Sequence, residues 1–147
     1  MTSCARPDKL DNRVRPRDRP DMIANLSLVA AGGATGACLR YLFGIAAVRL
    51  LGHTPIPLGV LGVNVIGSFM MGAFVVLAAH KGMTHLSPLV MTGLLGGFTT
   101  FSAFSLEAVT LIERGQALHA AVYVALSVGL SIAGLAAGMI LVRSMVA

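Results

Sequence analysis

Four stretches of this chain, Met22–Leu39, Leu58–Ala79, Leu86–Leu106 and Ala117–Val142, carry no Lys, Arg, Asp or Glu. Each is about long enough to cross some 30 Å of hydrocarbon, which takes about 20 helical residues. Between them lie Arg49–Pro57, His80–His85 and Glu113–Gln116, which hold the Gly, Pro and charges expected of turns at a membrane surface. The fold expected is all-α, a four-span membrane bundle. Composition agrees: 56% of residues are hydrophobic, 12% are charged and the mean hydropathy is +0.82, too apolar for an ordinary soluble domain.

The third stretch is interrupted. Gly96-Gly97-Phe98-Thr99-Thr100-Phe101-Ser102-Ala103-Phe104-Ser105 places a glycine pair and two threonines in its middle. Glycine costs a helix about 1 kcal/mol relative to alanine, and hydroxyls compete for backbone partners. Backbone groups released at membrane depth find nothing to bond in hydrocarbon, so they must be buried in protein, line a wet path or hold an ion. The interruption therefore suggests an ion site.

Charge is concentrated at the N-terminus. Of eleven Lys and Arg, six (Arg6, Lys9, Arg13, Arg15, Arg17 and Arg19) precede Met22, with four of the six acids. Residues 1–21 read as a disordered basic tail, and Met22, directly ahead of the first apolar stretch, offers an alternative start of translation. A cleaved signal peptide fits poorly, because Gly32, Gly33 and Gly36 interrupt the first apolar region and three more spans follow. The modest basic excess lacks the interleaved aromatics of a stacking platform, which argues against nucleic acid. Cys4 and Cys38 suggest neither a disulfide nor a metal clip.

Orientation is open. With four spans both termini share one side, and without the tail Lys81 and Arg143 on that side face Arg49 and Arg114 on the other. Two against two gives the positive-inside rule no preference, so the chain could insert both ways up, whereas the Arg-rich tail would favour termini inside. Gly32 with Gly36, and Gly134 with Gly138, are GxxxG pairs that allow close helix approach, either within one subunit or between two. Four helices do not readily enclose a pore alone, so a dimer is the economical way to make a pathway.

The polar residues inside the spans are the candidate site. Asn64 has two N–H groups to offer an anion, or alternatively a partner Ser or Thr on another helix. Gly67 and Ser68, three and four residues on, share its side. Phe101 and Phe104 are spaced i, i+3, with Ser105 on the same stripe. Phenyl edges carry partial positive charge and can meet a small anion without a fixed cation that would hold it too tightly; the alternative is simple space-filling. Tyr123, Ser127 and Ser131 recur every four residues as a polar stripe on the fourth span, fit to line a wet path or to bond neighbouring helices. Arg40 closes the first expected span as an interfacial anchor or an attractor of anions.

Other classes are disfavoured. Glu107 follows the third stretch and Glu113 lies in a loop, so the mid-membrane acid of a proton-coupled exporter is missing. His53, His80, His85 and His119 lack metal-ligand spacing, and no phosphate-cradling loop or nucleophile–base set supports an enzyme.

From about Met22 onward the chain resembles the CrcB/Fluc fluoride channels of bacteria. The resemblance rests on Gly33-Ala34-Thr35-Gly36-Ala37-Cys38-Leu39-Arg40-Tyr41, on Gly62-Val63-Asn64-Val65-Ile66-Gly67-Ser68-Phe69, and on the Gly96–Ser105 motif with Glu107. It implies a dual-topology homodimer in the inner membrane, two copies packed antiparallel with two narrow fluoride pores. It also implies a structural sodium ion at the dimer centre, held by the backbone carbonyls of Gly96 and Thr99. In this likeness Phe101 and Phe104 are the rings beside the anion and Asn64 is a pore amide. Ser102 and Ser105 form a hydroxyl track, Tyr123, Ser127 and Ser131 are the fourth-helix polar positions, and Arg40 and Glu107 are vestibule or structural residues. Ala103 departs from the family, where many members carry Thr or Ser.

The function expected is passive fluoride export. Fluoride enters as neutral HF and is trapped as an anion, and an inside-negative potential favours its exit by about 2.3 kcal/mol per charge per 100 mV. The rivals are a small-solute or cation-coupled transporter and a non-conducting scaffold subunit.

Overall fold

The computed structural model describes residues 18–52 and 54–146, whose regular elements are all helices. Helix α1 spans Asp18–Leu51 and α2 spans Leu58–Lys81. The third crossing is composite. A short 3-10 turn at Thr84–Leu86 leads into a π-helical segment, Pro88–Leu95, then the single turn α3 (Gly96–Phe98), and after a break α4 (Phe101–Glu113). Helix α5 spans Ala117–Val146. Four segments are thus long and apolar enough to cross a membrane, as expected.

Boundaries differ in two instructive places. Of the expected 1–21 tail, residues 1–17 lie outside the described residues, and α1 begins at Asp18. At its other end α1 runs to Leu51, so Arg40 does not close the first span but sits well inside a continuous helix, half-buried. The charge was mistaken for an end because the apolar run resumes at Tyr41, after only one cation. Helix α2 ends with Gly82 in the left-handed region, φ 66°, where the Gly82 and Met83 N–H groups both donate to Ala78 O. Gly115, φ 74°, follows α4 in the same way, and the next N–H, of Gln116, donates to Leu111 O. These left-handed glycines let the chain reverse at the ends of two spans without stranding the last carbonyls.

The most extensive packing joins spans that are not consecutive: α1 with the third crossing, and α2 with α5. Both GxxxG pairs are spent on it. A Cβ at Gly32 would overlap Leu89 O, one at Gly36 would overlap Leu94 O, and one at Gly138 would overlap Phe69 O, so helix backbones touch there. The contacts ascend together along both chains, which makes each pair parallel. Of the two uses open to these glycines, packing within one subunit is the one the fold adopts. Phe104, Ala108, Leu111, Ala120 and Tyr123 form the buried cluster between α4 and α5, covered by Ile56, Val60 and Leu61.

Gly138→Ala tests this packing. Its methyl would also lie 2.9 Å from Ala73 N, so α2 and α5 must separate. A loss of about 1–3 kcal/mol is expected from such overpacking. Gly129→Ala, with nothing within 4 Å of its Cβ, is the control. Equal unfolding midpoints for Gly138→Ala and wild type in detergent would show that the helices tolerate separation.

Candidate functional site: the broken third span

The interruption falls two residues later than the glycine pair. Gly96, at φ −65° and ψ −35°, and Gly97 are helical, whereas Thr99 (φ −79°, ψ 158°) and Thr100 (φ −152°, ψ 122°) are extended. Threonine's branched Cβ suits extended backbone, and Gly97 is needed for another reason: a Cβ there would lie 2.6 Å from Gly33 O. Gly97 lets α1 come close and the threonines make the break.

At the break, Thr99 N–H and the Thr99 hydroxyl both donate to Leu95 O, each at 2.9 Å. Thr100 N–H donates to Asn64 Oδ1 at 2.8 Å, while Asn64 Nδ2 donates back to Thr100 O at 3.0 Å. Thr100 Oγ1 then caps α4, accepting from Ala103 N–H at 3.2 Å. Asn64 therefore does bond a neighbouring helix, but through a threonine's backbone rather than its hydroxyl. One amide replaces the backbone bond that the Thr100 N–H loses at the break and adds a second to its carbonyl, and its other N–H has no partner among the described residues. The carbonyls of Gly96, Gly97, Phe98 and Thr99 receive no hydrogen bond among the described residues. Oxygens released at a helix interruption are a donor set suited to a hard cation. Among the described residues, no three His, Cys, Asp or Glu side chains gather as a metal site.

A cavity of about 370 Å³ opens beside the break. Its polar lining is Asn64, Ser68, Thr99, Thr100, Ser127 and Ser131, and its aromatic lining is Phe101 and Phe104. Gly67, Met71 and aliphatic residues of α5 complete it, and among the described residues no charged side chain reaches it. Phe101 is 77% exposed at the rim, while Phe104 is buried behind it. Their ring centroids are 5.3 Å apart at 49°, and Phe104 stacks in turn on Tyr123 at 5.5 Å and 41°. Tyr123 is fully buried, and neither its hydroxyl nor that of Ser127 has a partner among the described residues. Unpaired buried hydroxyls are costly, so that of Ser127, which lines the cavity, marks a place where a ligand or water is received, whereas Tyr123 does not line it.

Not every candidate converges here. Ser102 bonds the Thr100 hydroxyl at 3.2 Å and Ser105 back-bonds to Phe101 O at 3.0 Å; neither lines the cavity. Glu107 lies in a second cavity of about 370 Å³, with Thr54, Thr110 and Arg114. Arg40 borders neither. Thr100's double role as cap and as Asn64's partner was not legible from spacing, since it depends on α2 lying alongside; Met71 was missed because an apolar residue in an apolar helix gives no signal.

Fold and site together define a multi-pass membrane protein with an uncharged, hydroxyl- and phenyl-lined cavity at a broken helix. Residues 27–139 match the family model described as CrcB-like protein, Camphor Resistance (CrcB). The chain belongs to that family. It is 66% identical to the fluoride-specific ion channel FluC of Ruegeria sp. strain TM1040, over 83% of this chain and 97% of the relative. It is 63% identical to that of Roseobacter denitrificans, over 81% and 95%, and 60% identical to that of Cereibacter sphaeroides, over 86% and 100%. Its setting is the bacterial inner membrane.

Proposed function

We propose that this protein is a fluoride-selective channel that passively exports fluoride from the cytoplasm and lowers its toxicity. The observation that carries the reading is the cavity in which an amide, serine hydroxyls and two phenyl rings meet without any fixed charge. Such a lining replaces the hydration of a small anion through N–H, O–H and ring edges, yet releases it, because no cationic side chain deepens the well. Relatives at 60–66% identity that carry the name of a fluoride-specific channel support it.

The working unit in this reading is an antiparallel homodimer formed from chains inserted in both orientations. Phe101 at 77% exposure and the open side of the cavity leave a wall for a second copy to supply. A structural sodium ion at the dimer centre would be held by the carbonyls of Gly96 and Thr99, which have no other partner among the described residues. Bound there, it would supply a fixed positive charge that orders the two breaks. The chain's own residues do the rest: Asn64 fixes the break and offers an N–H, the rings and Ser127 face the anion, and Tyr123 backs Phe104.

Fluoride efflux from liposomes containing the purified protein tests the function. Potential-driven efflux with chloride excluded is expected. A requirement for a proton gradient would favour a transporter, and silence a scaffold.

A further inference from the structure

Helix α2 meets the break at two points on one side. Asn64 bonds the backbone of Thr100, and three residues on Gly67 faces Thr99. Gly67 differs from the glycines that bring helix backbones together. Gly32, Gly36, Gly72 and Gly138 each face the backbone of another helix, and serve helix approach. Gly67 faces side chains only: a Cβ there would overlap the Thr99 Cγ2 methyl and stand 3.2 Å from Phe98 Cδ1. Its bareness makes room for the break itself.

We propose that Gly67 is a positioning residue: a notch in α2 that receives the Thr99 methyl and so sets the direction of the Thr99 carbonyl at the cation cradle. The inference rests on the reading above. Thr99 has little freedom of its own. Its hydroxyl and its N–H are both tied to Leu95 O at 2.9 Å, so the methyl cannot swing away unless a bond is lost. Phe98 cannot readily yield either, because its ring meets Phe43 edge-on at 6.3 Å and 85°, and Phe43 is itself seated over Gly62, whose added Cβ would lie 2.8 Å from Phe43 Cε1. A methyl at residue 67 is therefore accommodated chiefly by turning Thr99, which turns its carbonyl. Gly67 also lines the cavity beside Asn64, so one side of α2 holds the oxygen aimed at the cation and the amide aimed at the anion.

The test is a double-mutant cycle between Gly67→Ala and Thr99→Ser, because serine keeps the hydroxyl and the carbonyl but lacks the Cγ2 methyl. Two readouts are taken on full-length protein: the sodium concentration giving half-maximal thermal stabilisation in detergent, and fluoride efflux from liposomes. Gly67→Ala is expected to raise that sodium concentration about tenfold or more, equivalent to about 1.4 kcal/mol, and to slow efflux. Combining it with Thr99→Ser is expected to return both readouts to those of Thr99→Ser alone. A general packing defect would lower stability without moving the sodium midpoint, and would persist in the Thr99→Ser background; either result overturns the notch. If Gly67→Ala fails to fold, recovery of folding in the double variant supports the proposal and its absence overturns it. Wild-type protein that responds to sodium but passes no fluoride would defeat the channel reading alone. Wild-type protein indifferent to sodium would defeat this one.

Discussion

Phe101→Ile is expected to abolish fluoride efflux while the protein still assembles. Isoleucine preserves apolar bulk at the rim of the cavity but removes the ring edge. What is lost is the outermost member of a row in which Phe101, Phe104 and Tyr123 stand at centroid spacings of 5.3 and 5.5 Å. The hydrogen-bearing edge of a phenyl ring is electropositive, and if it is worth as much to the anion as an aromatic pair, up to about 1.5 kcal/mol, losing one lowers the rate by up to about tenfold. In the dimer proposed above the loss falls in both copies, which should bring efflux toward the level of empty vesicles. Efflux kinetics beside a gel-filtration profile check this. Wild-type efflux in Phe101→Ile would take the rings out of the conduction mechanism.

Asn64→Asp should block conduction by a different route and also weaken the fold. An ionised carboxylate still accepts the Thr100 N–H, but it has no N–H to return to Thr100 O, and that carbonyl would then face a second acceptor at about the present 3.0 Å. A charge at this depth costs about 2.5–3.5 kcal/mol and repels the anion. Efflux should fall by about a hundredfold, with a lowered melting temperature. Asn64→Ala separates the two effects: it leaves the cavity neutral but frees Thr100, so its defect reports on the splint alone. A normal fluoride current in Asn64→Asp would exclude the amide from the pathway.

Much of this was legible in the sequence, for reasons that can be stated residue by residue. The four spans follow from uninterrupted apolar length, and two of their ends from Gly82 and Gly115, because a left-handed residue is the local way to stop a helix. That the third span breaks inside Gly96–Ser105 was visible too. Its position was not: whether a glycine breaks a helix or admits a neighbour depends on what lies against it, and Gly97 lies against Gly33 O. The same holds for Asn64, whose partner is a backbone 36 positions away. The π-helical turns of Pro88–Leu95 left no mark beyond the proline. Phe101, Phe104, Ser127 and Ser131 converge on the cavity because helical periodicity already placed them on single stripes. Ser102 and Ser105 do not: Ser105 bonds its own preceding turn, as a hydroxyl in a helix so often does, and Ser102 bonds the Thr100 hydroxyl.

The pairing of alternate spans bears on how the protein is made. Chains leave the ribosome N-terminus first, so α1 enters the bilayer long before the segment that Gly32 and Gly36 contact has been translated, and α2 waits likewise for the last helix to emerge. The nascent first hairpin meets its tightest neighbours late, and the closing steps of biogenesis then knit the two halves of the polypeptide together almost at once. A stop codon after the second crossing would leave both inserted helices with bare glycine grooves toward lipid, a form that quality-control proteases are well placed to remove.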